Sequence, residues 1–266
     1  MSYMFANLEN IESVNISNMF SDTYPNIISY MFYNCHNLQN LIITGNKNNY
    51  LISDATKMFY NCFSLESLDF SKMNSINEVN TSYFCYNCHN LISFTKIGSD
   101  ILTNDMRFMF YNCYHLTSIN LNFLKISSST NMSYLFSGCN NIINITWDND
   151  NDNLNNLSDM RNMFYNCFSI NSISFPFSKK NINISMANMF YNCINLRNIE
   201  FKTYVYYPND IHAMFYNCSS LKYLNLENKI ITNYVFDMSY LFYNCSLLDT
   251  LMINFSNELT INMEGT

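Results

Sequence analysis

The sequence is poor in several residue types, and each scarcity excludes a class of protein. Four Gly and three Pro in 266 residues are too few for phosphate-cradling glycine loops or a Pro-rich linker. Lys and Arg number 13 against 20 Asp and Glu, so the net charge of -7 argues against nucleic acid or an anionic membrane as partner. No apolar run approaches the roughly 18 residues of a membrane-spanning helix. Residues 1–15 also lack the basic-then-apolar order of a secretory signal.

Asn and hydrophobic residues are abundant instead. The chain holds 48 Asn and is 48% hydrophobic, with only 12% charged residues. This is neither an ordinary globular composition nor that of a highly charged disordered chain. The length suffices for one large domain or two small ones, and for a buried core.

A short string recurs along the whole chain. Met-Phe-Tyr-Asn-Cys occurs six times, and variants of it fill the gaps. Consecutive cysteines of this string are 25 to 28 residues apart, and Leu8 takes the place of the cysteine in the first copy. The cysteines are Cys35, Cys62, Cys88, Cys113, Cys139, Cys167, Cys193, Cys218 and Cys245. Positions below are counted from this residue, which is position 0, with upstream positions negative.

Each repeat combines two apolar patterns. Apolar residues at positions −7, −4 and −3 have the spacing of a short helix or 3₁₀ turn, whereas those at +6 and +8 lie on one face of a strand. One such unit has nothing on which to bury its apolar side, so neighbouring units must stack. The sequence therefore predicts a single α/β solenoid domain over residues 1–266, with about ten repeats. A parallel sheet is expected on one face and short helices or 3₁₀ turns on the other.

The repeats resemble the leucine-rich repeats of BspA-like surface proteins, whose pattern is Met-Phe-x-x-Cys-x-x-Leu-x-x-Leu-x-Leu. The match spans nearly all 266 residues. The resemblance implies a leucine-rich-repeat-like solenoid, display at the cell surface or secretion, and adhesion or partner binding. Members of that family usually carry an export signal and capping segments, so we expect either a fragment or a member without caps.

Stacking would place equivalent residues in rows. The row at −3 is Phe in every repeat except one, where Cys85 stands, and this predicts a buried aromatic spine. The cysteine row could form disulfides, bind metals or do redox chemistry. Because Leu8 occupies the same row and nine cysteines cannot all pair, we favour buried apolar groups without bonding partners.

Two local motifs also suggest ligand sites. Residues 85–89, Cys-Tyr-Asn-Cys-His, match the C-x-x-C-H sequence of haem attachment and half of a zinc site. The repeat explains both cysteines, so no cofactor is expected there. Asp148, Asp150 and Asp152, with Asp159 at the twelfth place, resemble a calcium loop that lacks its Gly and final Glu. A solvated return loop is favoured over calcium binding.

Two further rows concern the turn segment. Tyr is frequent at −5 and −2, as in Tyr30 and Tyr33, where partial burial between turns competes with an exposed aromatic stripe. Asn at −1 is expected to end the turn in left-handed geometry.

The outward positions +5 and +7 of the strands predict a binding face of short hydroxyl and amide groups. Such a surface suits a glycan or a polar protein, although it is also compatible with a merely solvated sheet. The residues proposed for binding are Ser93, Thr95, Ser118, Asn120, Asn144, Thr146, Ser172, Ser174, Asn198 and Glu200.

Catalysis is not expected, because the four His lie in different repeats and no nucleophile, metalloprotease or P-loop motif occurs. Two functions remain: a surface-displayed or secreted binding solenoid, and an intracellular scaffold for a protein partner. The family resemblance favours the first. Ten unpaired-looking thiols and the lack of a signal in this chain favour the second, since thiols stay reduced in the cytoplasm.

Overall fold

The computed structural model describes most of the chain and shows a β-solenoid. The described residues are 1–17, 19–20, 26–44, 50–69, 73–95, 101–122, 124–146, 157–175, 181–201, 206–227, 229–232 and 235–253. Apolar side chains from all repeats form one continuous core between two faces.

The strand face consists of ten short strands, each of which follows the position-0 residue of its repeat. They pair in parallel as five doublets: β1–β3, β5–β7, β9–β11, β13–β15 and β17–β18. Inward residues stay in register, as Ile119 does with Ile145. The strands are β1 (Ser13–Ser17), β3 (Asn40–Thr44), β5 (Ser67–Asp69), β7 (Ser93–Thr95), β9 (Ser118–Asn120), β11 (Asn144–Thr146), β13 (Ser172–Phe175), β15 (Asn198–Phe201), β17 (Tyr223–Asn225) and β18 (Thr250–Met252).

A second parallel sheet, called here the back sheet, lies upstream of the turn segments. Its eight strands follow one another in chain order along the solenoid. They are β2 (Asn26–Ile27), β4 (Tyr50–Asp54), β6 (Met73–Asn80), β8 (Ile101–Asp105), β10 (Leu124–Asn131), β12 (Leu157–Asp159), β14 (Asn181–Ser185) and β16 (Tyr206–Asp210). This sheet was not predicted, because its strands fall in the polar return segments.

The predicted helices and 3₁₀ segments of the Met-Phe-Tyr-Asn-Cys string are wrong. Within the described residues this string forms a run of tight turns and no α-helix. Two residues per repeat adopt left-handed backbone geometry, at positions −5 and −1, as in Tyr30 (φ 57°) and Asn34 (φ 59°). A right-handed helix cannot accommodate this alternation. The Asn at −1 was correctly predicted to be left-handed, whereas the bulky residue at −5 was not.

Backbone hydrogen bonds explain why the turns are preferred to a helix. The N–H groups at −4, −2 and 0 donate within the repeat, as Cys35 N does to Phe32 O (3.1 Å). Those at −5, −3 and −1 donate to the following repeat, as Phe32 N does to Met58 O (2.9 Å). A helix would satisfy its N–H groups internally and leave none for the neighbour. The turn segment thus joins repeats as a sheet does.

The predicted aromatic spine is present and buried. Phe136, Phe164 and Phe190 are fully buried, and successive rings stack with centroids 5.8 and 5.5 Å apart. At the one break in the row, Cys85 leaves room that Phe84 and Phe94 fill. These two rings connect Phe59 to Phe110 by edge-on contacts of 5.3, 6.3 and 5.1 Å.

The cysteine row is buried as expected, but its thiols are not without partners. Nine of the ten cysteines are buried and Cys245 is half-buried, and all ten are free thiols. Every position-0 thiol donates a hydrogen bond to the position −3 carbonyl of the preceding repeat, at 3.0 to 3.3 Å. The prediction of purely apolar packing was therefore wrong in this respect. Cys combines apolar volume with a weak donor, which Val or Ala lacks.

Two rows of polar side chains also connect the repeats. The amides at −1 form a ladder in which each Nδ2 donates to the preceding Oδ1, as from Asn61 to Asn34 (3.0 Å). Gly138 interrupts this ladder. At position −8 most repeats have an Asp or Asn that closes the back-sheet strand, since its Oδ1 accepts the N–H two residues later, as from Arg107 to Asp105 (3.1 Å); the exceptions are Ile27 and Ser185. This is the Asx-turn geometry, and it redirects the chain into the turn segment.

Candidate functional site

The strand face carries the ten residues proposed for binding. Nine of them are exposed, and Ser174 is half-buried. Parallel pairing aligns them in two rows, so that Ser118 lies beside Asn144 and Asn120 beside Thr146. Ser172 likewise lies beside Asn198, and Ser174 beside Glu200.

Six of the ten residues come together in an open groove of about 440 Å³ across β11, β13 and β15, called here the central groove. The groove lies where the doublet β9–β11 meets the doublet β13–β15. Ser93, Thr95, Ser118 and Asn120 lie on β7 and β9, farther along the same face. The groove is lined by Asn144, Thr146, Ser172, Ser174, Asn198 and Glu200, together with Ile143, Ile145, Ile173 and Ile199.

Hydrogen bonds already order part of this groove. Ser174 Oγ donates to Glu200 Oε2 (3.0 Å), which fixes the carboxylate between two repeats. Ile143 is 41% exposed at the rim, a feature that the +5 and +7 pattern did not predict because this residue is at +4. The groove therefore offers hydrogen-bonding groups, one carboxylate and an apolar edge.

The tyrosines at −5 and −2 form stacked ladders on the turn side. Tyr60, Tyr86 and Tyr111 stack with centroids 4.6 and 4.7 Å apart and are half-buried. Burial and the neighbouring phenols raise the pKa of Tyr86 to about 12. Because each ring face is covered by its neighbours, the row presents ring edges and hydroxyls to solvent. This arrangement matches the expected partial burial better than an open aromatic platform.

Three of the described cationic side chains are already engaged by aromatic rings or carboxylates. Lys57 Nζ lies over three rings, those of Tyr30, Tyr60 and Tyr83, at 5.1 to 5.7 Å. On the back sheet Arg107 pairs with the Asp two residues before it, Asp105, at 3.0 Å. Burial raises the pKa of Asp105, and Arg107 opposes that shift.

The same arrangement recurs two repeats later. Arg161 pairs with Asp159 at 2.7 Å, and this hydrogen bond raises the pKa of Arg161. Asp159 is only 6% exposed, so the arginine compensates a carboxylate that is largely removed from water. These pairs stabilise the end of the back sheet, so their charges are not free for a ligand.

One cluster contains the residue types of a hydrolase triad, although no sequence motif indicates it. Ser239 Oγ donates to Asp237 Oδ1 (2.7 Å), and His212 Nδ1 bonds to Ser239 Oγ (2.7 Å). In a catalytic triad the carboxylate holds the imidazole and the imidazole faces the hydroxyl. Here the carboxylate holds the hydroxyl, while His212 Nδ1 and Asp237 Oδ2 are 3.8 Å apart. This wiring closes an Asx turn and does not activate a nucleophile.

The two motifs that suggested cofactors have different outcomes. Cys85 and Cys88 are both fully buried in the core, while His89 stacks on Phe63 and Tyr114 at 4.9 and 4.7 Å. Burial lowers the pKa of His89, with a smaller contribution from His115. No group of three potential metal ligands occurs among the described residues. Asp148, Asp150 and Asp152 lie outside them, so the calcium loop remains a prediction.

A second open groove, of about 500 Å³, lies toward the C-terminal end of the strand face. It adjoins the central groove through Asn198, which lines both. Its walls are Arg197, Asn198, Ser220, Lys222, Tyr223 and Leu247. The sequence shows Arg197 and Lys222 at the same position, +4, in consecutive repeats. That signal could have identified them.

Comparisons with solved structures find other leucine-rich-repeat proteins. A leucine-rich repeat protein from Bacteroides ovatus is 18% identical with a TM-score of 0.47, and the alignment covers 98% of this chain and 77% of that one. A leucine rich cell surface protein from Faecalibacterium prausnitzii is 18% identical with a TM-score of 0.37, covering 93% and 80%. The plant peptide hormone receptor RGFR1, solved in complex with RGF2, is 15% identical with a TM-score of 0.40, covering 83% and 36%. No curated protein matches the sequence.

The sequence matches a family model, and this match identifies the family, which the similarities to solved structures do not. The model for the BspA type leucine rich repeat region matches in six copies, over residues 1–132, 55–183, 108–241 and 159–263. These segments overlap and extend over nearly the whole chain. They agree with the repeat of Met-Phe-x-x-Cys-x-x-Leu and with the parallel solenoid described above. The chain belongs to the BspA-type leucine-rich-repeat family.

Proposed function

We propose that this solenoid is a non-catalytic binding protein that captures a protein partner on its strand face. The observation that carries the proposal is the groove across β11, β13 and β15. There the exposed polar side chains of three repeats converge beside an apolar edge. Leucine-rich repeats typically mediate protein binding, and solenoids commonly use extended surfaces of this kind.

The chemistry of the groove favours a polar protein surface over a nucleic acid. Its one charged side chain is Glu200, which is exposed and would repel phosphate. Its hydroxyl and amide groups can both donate and accept hydrogen bonds. A glycan would use the same groups, although the exposed Ile143 favours a partner with apolar side chains.

We further propose display at the cell surface or secretion. Free cysteines argue for an intracellular scaffold only if an oxidising compartment would oxidise them. Burial raises the pKa of thiols such as Cys62 and Cys113 well above the ordinary value of 9.0. A buried, protonated thiol is inert toward oxidants, so an oxidising compartment is compatible with this ladder. Antibody staining of source cells with and without permeabilisation tests the location, and staining only after permeabilisation would support the scaffold function.

The binding face is tested by three simultaneous substitutions, Ser118→Arg, Asn144→Arg and Ser172→Arg. All three side chains are exposed, so the circular dichroism spectrum and melting temperature should stay unchanged. Affinity purification from cells, quantified by mass spectrometry against a matched control, should lose the wild-type partner.

The control carries the same added charge on the back sheet, as Ile27→Arg, Asn104→Arg and Ser158→Arg, which are also exposed. It should retain the partner. Equal retention by both variants would remove the binding site from the strand face. Loss only on substitution of the half-buried tyrosines Tyr30, Tyr83 and Tyr240 would place it on the turn side.

A further inference from the structure

We propose that the second groove binds a carboxylate-bearing peptide segment of the partner, with Arg197 and Lys222 as the anion-binding pair. The inference rests on the proposed function, because it concerns the same face and names the chemistry of what binds there. The groove holds about 500 Å³ and opens to solvent beside Asn198, which it shares with the central groove.

The two cations are distinguished by what they do not contact. Lys57 is engaged by three tyrosine rings, and Arg107 and Arg161 by Asp105 and Asp159. Within the described part of the chain, Arg197 and Lys222 have neither an acidic partner within 4.0 Å nor a ring beneath them. They are also both exposed and lie in consecutive repeats. In a chain of net charge -7, two uncommitted cations on one groove are a local concentration of positive charge that can attract an anion.

The position of the two residues on the fold fixes their spacing. Arg197 immediately precedes β15 and Lys222 immediately precedes β17, and both are at +4. The Arg197 N–H donates to Asn171 O (2.8 Å), which anchors the backbone and leaves the guanidinium to the solvent side. Arg provides a planar fork for a carboxylate and Lys a compact second charge. Together they suit one or two neighbouring carboxylates.

Apolar side chains in the same groove indicate a peptide more than an acidic glycan. Tyr223 and Leu247 are each 51% exposed and line the wall beside the cations. A segment that combines Asp or Glu with Leu or Phe would cover both kinds of surface. A uronic or sialic acid would satisfy the cations but leave Leu247 without an apolar contact.

The row at +4 also contains the residue that weakens this site. Asp249 follows Lys222 in the next repeat, and its backbone N–H donates to Lys222 O (3.0 Å). Within the described part of the chain its carboxylate forms no ion pair with Lys222. It therefore lowers the local positive potential without occupying the groove. Removing its charge should strengthen binding of an anion, an outcome that general structural damage cannot produce.

The experiment uses a fluorescein-labelled peptide of alternating Glu and Leu and a matched peptide of alternating Gln and Leu, with binding read as fluorescence anisotropy. The wild-type protein should prefer the Glu peptide, and higher salt should weaken that preference. Arg197→Gln with Lys222→Gln should weaken Glu-peptide binding at least tenfold, whereas Asp249→Asn should tighten it two- to fivefold. The control, Lys57→Gln with Arg107→Gln, removes the same charge elsewhere and should leave binding unchanged.

The outcomes separate this inference from the proposed function. Equal binding of the two peptides, or equal loss in the control variant, would overturn the anion site while leaving the strand-face test with Ser118, Asn144 and Ser172 untouched. Stronger binding of sialyllactose than of the Glu peptide, lost in the Arg197 and Lys222 variant, would overturn the peptide assignment in favour of an acidic glycan. A Glu-peptide response with no partner lost in the triple-Arg variant would uphold the groove and contradict the central binding face.

Discussion

Replacing Cys85 by Phe tests whether Phe84 and Phe94 occupy the space of the missing spine ring. Phe84 is 1% exposed and Phe94 8%, so an added ring at Cys85, which is fully buried, has nowhere to go. Overpacking of this kind costs about 1–3 kcal/mol. The changes Phe84→Met and Phe94→Leu should each cost about 1–1.5 kcal/mol, because they remove ring volume from a closed core. Independent effects would add to roughly 3–6 kcal/mol.

The triple variant should lose far less than this sum. It gives this repeat the pattern of the preceding one, in which Met58 and Phe59 precede the cysteine and Leu68 lies on the strand. We expect its stability in urea denaturation to be within about 1.5 kcal/mol of the wild type, because total core volume is nearly conserved. As a control, Ile119→Phe adds a ring where the spine Phe is present and should destabilise. An additive loss in the triple variant would refute the compensation argument.

Three further predictions concern the spine, the thiols and the strained turn position. Phe164→Ala should lower the free energy of unfolding in urea by about 3–5 kcal/mol. Phe5→Ala should lower it clearly less, because Phe5 is half-buried and stacks on one neighbouring ring, that of Phe32. Equal losses would contradict the stacked core. All ten thiols should react with a thiol reagent in denaturant, with Cys245 reacting first in the native protein, and two missing thiols would indicate a disulfide. Because burial raises the pKa of thiols such as Cys167 above 9.0, these thiols deprotonate first in the unfolded chain, so the free energy of unfolding should fall as the pH rises from that value. Ala213→Gly should raise the free energy of unfolding by up to about 1 kcal/mol, since Ala213 has a left-handed φ of 48° that Gly adopts without strain. Ala187→Gly, at a position with ordinary φ, should lower it by about as much. A change of the same sign at both sites would contradict the strain argument.

The solenoid, its core rows and its strand face follow from the sequence because stacking turns a linear repeat into spatial rows. Phe164 and Cys113 could be placed in the core without any knowledge of backbone geometry. The outward positions of the strands followed in the same way, since alternate residues of a strand face opposite sides.

The turn segments were mispredicted because apolar spacing reports which side chains are buried and not how the backbone hydrogen bonds are shared. A helix and a run of turns both bring positions −7, −4 and −3 to one side. The distinguishing feature is the left-handed residue at −5, where Lys57 and Phe108 stand. Neither is a residue type that indicates φ above zero, and tertiary bonding between repeats compensates the strain. The Asx row at −8 was readable, as Asp54 and Asn80 show, but its meaning depends on the back sheet.

The interruption at Gly138 has a mechanical consequence. Most neighbouring repeats are connected by a hydrogen bond between Asn side chains at −1 and by a stacked Tyr pair at −2. The repeat of Cys139 has Gly138 and Ser137 at these positions instead. Backbone bonds such as Gly138 N to Tyr165 O (2.7 Å) continue across it. Under tension along the long axis, the two ends should part first at this repeat. The central groove spans the same boundary, with Asn144 on one side and Ser172 on the other, so a bound partner would act as a clamp and raise the force at which the solenoid yields.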